Sequence, residues 1–327
     1  ARRNFCTVTE LANYLVRIDK KWVIDAAVFS DIKDICVVAG YKHEKVEAYI
    51  KCMDIKCESV IQHQRKGTAH AVMTAKDFLD KHKGENVLIL GGDAPFIDSD
   101  TINMAYKQHI EEKNSVTVIS ANLNDPFGYG RIVRDDNLKL SSIVEQKDAD
   151  ESVRNIKEVN SGAYWFNIDA LLSVLSDVRN NNAQQEYYLP DTIKLLLNKG
   201  HNVNACVSNN FKIVLGANDC NQLNDLNKIA RENIINKFIS EGVNILCEDS
   251  VIIGCDVKIG KGTTIFPGTI IDGNSSIGTN CVLGPNTQIT DSIIADNTTI
   301  NSSVCVNSVV SENKNIGPFE VLKNIRN

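Results

Sequence analysis

The chain has 327 residues, of which 43% are hydrophobic and 23% are charged, and its formal net charge is −6. This composition is typical of a soluble globular protein, and the acidic balance argues against a nucleic-acid or anionic-membrane partner. No apolar run approaches the length of a transmembrane helix, and the chain is long enough for two domains with separate cores.

The ten cysteines are scattered along the chain. Cys52 and Cys57 are the closest pair, but no second pair or histidine matches their spacing, so we expect no zinc site. Others, such as Cys36 and Cys206, lie within apolar runs typical of strands. Scattered thiols in an acidic chain indicate a reducing compartment, and we therefore expect a cytoplasmic protein.

Residues 1–21 contain no glycine and begin with a local helix signal. Thr7 and Glu10 fit a capping box, in which each side chain satisfies a backbone amide at the start of a helix. An apolar stripe at helical spacing follows, formed by Leu11, Leu15, Ile18, Trp22 and Ala26. We therefore expect one amphipathic helix from roughly Val8 to Ala27.

From residue 21 to residue 121, short apolar runs alternate with helical patterns. We expect strands at 34–40, 58–62, 87–90 and 115–121, with helices at 43–53, 68–81 and 99–113. Such alternation predicts a Rossmann-like, doubly wound α/β domain with a mostly parallel sheet.

Two places in this domain carry candidate chemistry. Asp93 follows the buried run Val87–Leu90, and ligands of open α/β sheets bind at the carboxyl ends of the strands. A carboxylate there suits a magnesium ion over nucleotide phosphates, although a turn-capping role explains this residue alone equally well. Gly67 and Thr68 form a strand-to-helix turn that suits a nucleotide, or a plain helix cap.

After residue 121 the pattern changes. Segments 131–133, 140–144 and 163–166 predict short strands in an added antiparallel layer that covers the pocket. A helix closed by Gly200, two short strands near 203–207 and 213–215, and a long helix over 218–241 complete this part of the chain.

Beyond residue 242 an aliphatic residue recurs at every sixth position. The series comprises Ile253, Ile259, Ile265, Ile271, Ile277, Leu283 and Ile289. It continues through Ile294, Ile300, Val306, Val310, Ile316 and Leu322 with two slips of phase. A period of six is typical of a hexapeptide parallel β-helix, and we expect the slips to mark protruding loops.

Seven segments occur in a fixed order before these repeats. They are QHQRKGTAHAV, LILGGDAPF, DPFGYGRIV, SSIVEQKDA, EVNSGAYWF, NNNAQQEYYLPD and LGANDCNQL. From about residue 22 to residue 322, the chain closely resembles the bacterial bifunctional UDP-N-acetylglucosamine pyrophosphorylase / glucosamine-1-phosphate N-acetyltransferase family, in particular its uridylyltransferase half.

The resemblance implies a division of the chain and a reaction. Residues 1–217 would form the nucleotidyltransferase domain, 218–242 a linker helix and 243–327 a short left-handed parallel β-helix. N-acetylglucosamine 1-phosphate would attack the α-phosphorus of UTP with magnesium (Mg²⁺) bound, pyrophosphate would leave, and the UDP-N-acetylglucosamine formed would serve peptidoglycan synthesis. The chain would form a homotrimer.

The resemblance also assigns residues. It implies Asp93 and Asn218 as magnesium ligands, Arg65, Gly67 and Thr68 as nucleotide contacts, and Gly130, Glu145, Asn160 and Tyr187 as substrate contacts. Taken singly, Glu145, Asn160 and Asn218 also fit a surface carboxylate, a turn residue and a helix cap.

Arg65 stands where the family usually has a glutamine that reads the uracil edge, and Gly91 where a tyrosine is often found. Because arginine only donates hydrogen bonds, another base or sugar stays open as an alternative.

Both ends of the chain depart from the family. The family's glycine-rich loop, with an arginine and a lysine that hold the triphosphate, has no counterpart in residues 1–21, so no catalytic residue is assigned and we expect weak uridylyl transfer. The repeats stop short of the family's acetyltransferase residues, so we expect no acetyltransferase activity. A non-catalytic scaffold that binds a sugar nucleotide is a further alternative.

Overall fold

The computed structural model describes residues 3–9, 20–53, 55–182, 184–217 and 220–325. The chain divides into two compact units, Ala1–Leu223 and Asn224–Asn327. This boundary falls inside the last helix, and the predicted domain limits at 217 and 242 stay predictions. Within the described ranges, no helix combines the length and the apolar character needed to cross a membrane.

The first unit is built on one nine-stranded sheet. Its strands are β1 (Arg3–Thr9), β2 (Asp34–Ala39), β3 (Cys57–Ile61), β4 (Asn86–Gly91), β5 (Val116–Asn122), β6 (Arg131–Arg134), β7 (Leu140–Val144), β8 (Glu158–Asn167) and β9 (Val203–Ser208). The order is β3-β2-β1-β4-β8-β5-β9, with a hairpin of β6 and β7 beside β8. The Rossmann-like architecture predicted from the sequence is confirmed.

Helices follow most of these strands. They are α1 (Lys20–Phe29), α2 (His43–Cys52), α3 (Thr68–Thr74), α4 (Lys76–Lys81), α5 (Ser99–Glu111), α6 (Glu151–Arg154), α7 (Ile168–Leu175), α8 (Asp191–Asn198) and α9 (Cys220–Ser240). The single helix expected over 68–81 is therefore two helices, which meet at Ala75.

Strand β4 is buried on both faces, as its continuous apolar run predicts. Val87 and Ile89 belong to one hydrophobic core. Leu88 and Leu90 belong to a second core on the opposite face. Alternate side chains of one strand thus connect both layers of helices to the sheet.

The front of the chain differs from its local signal. Residues 3–9 form β1, a parallel strand in the middle of the sheet that pairs with β2 and with β4. The expected start of a helix at Val8 and the capping role of Thr7 are therefore wrong, whereas helix α1 occupies the end of the predicted range. Pairing on two sides supplies more backbone hydrogen bonds than a local cap, which explains why the tertiary context prevails. Residues 10–19 of the predicted helix lie outside the described residues.

Two further expectations need correction. Segment 163–166 is part of β8, which lies between β4 and β5 and runs antiparallel to both, so it belongs to the main sheet rather than to an added layer. Segment 213–215 is not a strand, because Phe211–Val214 forms a 3₁₀ helix that the Asn210 side chain caps at the amide of Lys212.

The second unit contains a left-handed parallel β-helix, as predicted. Its strands are β10 (Asn244–Ile245), β11 (Ile252–Ile253), β12 (Lys258–Ile259), β13 (Thr264–Ile265), β14 (Ile270–Asp272), β15 (Ser276–Ile277), β16 (Val282–Leu283), β17 (Gln288–Thr290), β18 (Ile293–Ile294), β19 (Thr299–Ile300), β20 (Val304–Val306), β21 (Val309–Val310), β22 (Asn315–Ile316) and β23 (Val321–Lys323). They stack into three parallel sheets around a core of aliphatic side chains.

The phase slips are deletions within a coil, not protruding loops. Ile271 pairs with Ile289, eighteen positions on, whereas Ile289 pairs with Cys305, only sixteen on. The buried position is therefore Cys305, and the neighbouring Val306, expected inside, is only half-buried. A corner that loses a residue leaves the strand pairing intact, so the repeat continues.

Helix α5 holds one buried histidine in a polar contact. The Nε2 of His109 donates to Asn86 Oδ1 at 3.2 Å, and its Nδ1 lies 3.0 Å from Thr117 Oγ1. Burial lowers the pKa of His109 to about 4, so the ring is neutral at pH 7.

This pKa predicts a pH-dependent stability. Since the unfolded chain takes up the proton near pH 6.5 and the folded chain only near pH 4, stability falls as the pH drops through this window. Between pH 7.5 and pH 5 we expect His109 to account for a loss of about 2 kcal/mol of unfolding free energy. Urea unfolding of His109→Gln should show a shallower pH slope than wild type. The exposed His63, changed to Gln, is the control; an unchanged slope in His109→Gln would contradict the assignment.

Candidate active site

A cleft of about 380 Å³ opens at the carboxyl end of β4. It is lined by Asp93, by the turn 127–130, by segment 160–162 of β8, and by segment 188–190. Of the residues predicted from the sequence, the cleft brings together Thr68, Asp93, Gly130, Glu145 and Asn160.

Asp93 is placed by the end of the buried strand. Solvent reaches its side chain from the cleft. Protein atoms nevertheless surround most of the carboxylate, and this desolvation raises the pKa of Asp93. A Cβ atom at Gly91 would lie 2.7 Å from Asp93 Oδ1, so the glycine at this position leaves the carboxylate its space. Desolvation also raises the pKa of Tyr129, and the Asp93 carboxylate adds to that shift.

A bulge in β8 presents Asn160 to the cleft. Ile119 of β5 pairs with Ala163, but the next residue, Ser120, pairs with Asn160, so Ser161 and Gly162 are extra residues on β8. Bulges of this kind redirect side chains near functional sites. The amide of Asn160 is held on both sides, because its Nδ2 donates to Tyr164 Oη at 2.6 Å and its Oδ1 accepts from the amide of Gly162 at 3.0 Å.

Glu145 faces Gly130 across the end of the β6–β7 hairpin. A Cβ at Gly130 would lie 3.0 Å from Glu145 Oε1 and 3.2 Å from Ile143 Cγ2, so only glycine fits without displacing them. Burial raises the pKa of Glu145, and the carboxylates of Asp148 and Asp191 raise it further. The carboxylate is thus a partly desolvated acceptor in the wall of the cleft.

The turn at Gly67 and Thr68 is joined to a distant segment of the chain. The amide of Tyr187 donates to Lys66 O at 2.7 Å, and the amide of Ala69 donates to Tyr187 O at 2.8 Å. Thr68 Oγ1 accepts from the amide of Leu189 at 2.9 Å. The amide of Ala69 is therefore already bonded, and Thr68 is the residue of this turn that lines the cleft.

Three predicted residues, Arg65, Gly67 and Tyr187, do not line the cleft. Arg65 is exposed, with its guanidinium carbon 5.6 Å from the ring centroid of Tyr41. Tyr187 is half-buried and packs against a hydrophobic core. Asn218 lies outside the described residues.

A buried amide beside the nucleotide turn was not predicted from the sequence. Gln62 is 3% exposed, and its Nε2 lies 3.3 Å from Gly67 O and 3.0 Å from His70 Nδ1. The sequence did contain a signal for this residue. Gln62 is a polar residue that directly follows the strand Cys57–Ile61 and precedes Gly67 by five positions.

Aromatic side chains in the cleft were also missed. Phe127, Tyr129 and Tyr188 line it, and Phe127 is 76% exposed. The sequence prediction for the FGYG segment used its glycines and not its rings. Aromatic rings that line a cleft suit the apolar faces of a sugar or a base.

The cleft fits a divalent cation. The Asp93 carboxylate opens into it and forms no ion pair with any described Lys, Arg or His. The described residues contain no cluster of three or more histidine, cysteine or acidic side chains that could hold a metal. Magnesium nevertheless often binds through one or two protein oxygens together with substrate phosphates.

Two family models match the chain. The nucleotidyl transferase family model matches residues 16–232, and a bacterial transferase hexapeptide model (six repeats) matches residues 250–291. The chain belongs to the nucleotidyl transferase family. The family match covers the cleft lining and every strand of the sheet except β1, and the hexapeptide match lies within the β-helix.

Curated relatives of this nucleotidyl transferase include three that are each called "Bifunctional protein GlmU". The protein of Caldanaerobacter subterraneus subsp. tengcongensis is 41% identical over 91% of the chain, and that of Thermosipho africanus is 43% identical over 92%. The Bacillus subtilis (strain 168) protein is 38% identical over 91%. The chain spans 64% of the length of each relative. The family resemblance inferred from the sequence is confirmed.

The nucleotide turn yields a stability prediction. Gly67 has φ +102°, and a Cβ there would lie 2.7 Å from Tyr187 O and 2.9 Å from Tyr187 N. Gly67→Ala should therefore combine an unfavourable φ with a backbone clash and cost roughly 2–4 kcal/mol of unfolding free energy. Gly84→Ala is the matched control, because Gly84 has φ +81° and a Cβ added there would meet no atom within 4 Å. Equal losses in chemical denaturation would show that the close approach to Tyr187 does not matter.

Proposed function

We propose that this nucleotidyl transferase is an N-acetylglucosamine-1-phosphate uridylyltransferase, which forms UDP-N-acetylglucosamine and pyrophosphate from UTP and the sugar phosphate. The observation that carries the proposal is the convergence of Asp93, Gly130, Glu145 and Asn160 on one cleft. These residues come from four separate segments, and a scaffold has no need to collect them.

The described residues would contribute to binding in different ways. Thr68 lines the cleft and would contact the nucleotide. The Glu145 carboxylate and the Asn160 amide offer hydrogen bonds that orient a neutral sugar. Phosphoryl transfer depends mainly on such positioning and on charge neutralisation. Asp93 would hold magnesium together with Asn218, and the ion would neutralise the phosphate charge when bound.

The lack of glycine in residues 1–21 is the reason to expect slow uridylyl transfer. Strand β1 is nevertheless present in the middle of the sheet, where it pairs with β2 and β4. The assay for uridylyl transfer therefore measures both whether the reaction occurs and how fast it is.

Pyrophosphate release from UTP and N-acetylglucosamine 1-phosphate with Mg²⁺ tests the proposed function. Asp93→Asn should keep the shape of the side chain and remove its charge, and the rate should fall by roughly a hundred- to a thousandfold. Asp100→Asn, an exposed acidic residue in the first turn of α5, is the control and should keep the rate. No release by wild type, or equal rates in both variants, would refute the proposal.

We also propose that Gln62, rather than Arg65, reads the base. A carboxamide both donates and accepts hydrogen bonds, as a base edge requires, whereas arginine only donates. The buried carboxamide of Gln62 adjoins Gly67, and Arg65 is exposed over Tyr41. Uracil recognition is then retained, and another base is not favoured.

This assignment predicts opposite outcomes for two variants. Gln62→Ala should raise the KM for UTP about tenfold or more and lower the preference for UTP over CTP, because one base contact is lost. Arg65→Gln should change neither the KM nor the preference. A loss of preference in Arg65→Gln alone would return the role to the arginine.

Assembly, location and the second activity stay proposals. Hexapeptide repeats favour a homotrimer, and we propose a cytoplasmic enzyme, since its substrates are cytoplasmic metabolites in the implied pathway to peptidoglycan. No described cysteine forms a disulfide, which is consistent with a reducing compartment. The expected lack of acetyltransferase activity also remains a prediction, and acetyl transfer from acetyl-CoA to glucosamine 1-phosphate by the purified chain would contradict it.

A further inference from the structure

The turn 127–130 forms one wall of the cleft. Phe127 and Tyr129 contribute their rings, and Gly130 contributes the backbone next to Glu145. The Gly130 carbonyl accepts from the amide of Asn160 at 2.9 Å, so this turn and the β8 bulge are connected. A shift of the turn would therefore move both the aromatic wall and the Asn160 contact.

A buried arginine lies directly behind this turn. Arg131 is 1% exposed, and its guanidinium donates to the carbonyl of Tyr129 and, at 2.7 Å, to Gln146 Oε1. The same Gln146 oxygen accepts from the amide of Gly128 at 3.2 Å. Arg131 and Gln146 thus bind two peptide groups of the turn, the N–H of Gly128 and the carbonyl of Tyr129; we refer to these two side chains as the clamp.

The clamp follows from strand alternation. Gly130 and Glu145 face the cleft, and the next residue in each segment, Arg131 or Gln146, belongs to the clamp behind the wall. Arg131 pairs with Val144 at the end of the β6–β7 ladder, so both segments leave the hairpin side by side. The sequence spacing that places the contact residues therefore also places the clamp.

The cost of burying the Arg131 guanidinium indicates that this residue does more than fill space behind the turn. A buried guanidinium is costly unless carboxylates or hydrogen bonds compensate it. No described carboxylate forms an ion pair with Arg131, its Nε has no hydrogen-bond partner among the described residues, and burial lowers its pKa. Its bonds go mainly to the turn and to Gln146. An apolar residue of similar volume would avoid this cost, but it would leave the turn without these donors.

We propose that Arg131, acting through Gln146, is a positioning residue that holds the turn 127–130 in the shape required to bind the sugar phosphate. This inference rests on the proposed function for the identity of the substrate, but the clamp itself is a property of the chain. The planar fork of arginine reaches two acceptors at once, which the ammonium of a lysine does not reproduce.

Hydrogen–deuterium exchange tests the clamp without any activity. Gln146→Ala removes the acceptor of the Gly128 amide, and because Gln146 is half-buried, this variant should fold. Exchange in a peptide covering 125–131 should become faster in Gln146→Ala and in Arg131→Lys, while peptides from β4 and β5 keep their protection. Gln146→Glu retains an acceptor oxygen for both donors and should restore the slow exchange.

Steady-state kinetics test the consequence for binding. We expect the KM for N-acetylglucosamine 1-phosphate to rise roughly ten- to a hundredfold in Gln146→Ala and Arg131→Lys, because small misplacements of binding groups have effects of this size. The KM for UTP should stay near the wild-type value, and Gln146→Glu should recover most of the affinity. Arg134→Lys is the matched control, since Arg134 lies on the same strand but pairs with Glu158.

The outcomes separate the two proposals. If wild type does not convert UTP and the sugar phosphate, the proposed function fails, and the exchange experiment still decides the clamp. Unchanged exchange in 125–131 would overturn the clamp, because the two side chains would then have no role in holding the turn. Faster exchange throughout the sheet, with equal changes in both KM values, would also overturn it, because their role would then be merely structural. Failure of Gln146→Glu to restore slow exchange would also overturn it.

Discussion

The burial of strand β4 on both faces is the constraint on which the first unit depends. Its four apolar side chains are divided between two cores, so the strand has no freedom to slide or rotate. Its carboxyl end is therefore fixed, and Asp93 emerges there with its carboxylate in the space left by Gly91. A short hydrophobic run thus determines where a charged group meets the cleft.

The other walls of the cleft depend on contacts between distant parts of the chain. The antiparallel strand β8 enters the sheet beside β4, and its two extra residues bring Asn160 to the cleft. The nucleotide turn at Gly67 is bonded to the backbone of Tyr187, about a hundred and twenty positions later in the chain. Behind the third wall, Arg131 and Gln146 bind the peptide groups of the turn 127–130. Each wall is a backbone arrangement held by hydrogen bonds, and this explains why glycines recur among the lining residues.

The β-helix is stabilised in a different way, because each coil contacts only its neighbouring coils. Coils of eighteen, seventeen and sixteen residues stack on one another, and the inward position moves from Val306 to Cys305 where a corner is shortened. Pairing between coils depends on the strands, and a corner that loses one residue leaves that pairing in place. The second unit therefore tolerates irregular repeats that would disrupt a globular core.

The sequence by itself determined the features that depend on local patterns of residues. These are the alternating α/β order, the period of six, the buried strand before Asp93 and the family resemblance of seven short segments. Tertiary structure decided the rest. Thr7 lies in a strand that is paired on both sides and not at a helix cap. Arg65 packs over Tyr41 instead of lining the cleft. Gln62 and Arg131 are positioned by hydrogen bonds to other segments. Local propensities are worth about 1 kcal/mol or less per residue, whereas pairing and burial act on many groups together and therefore prevail where the two conflict.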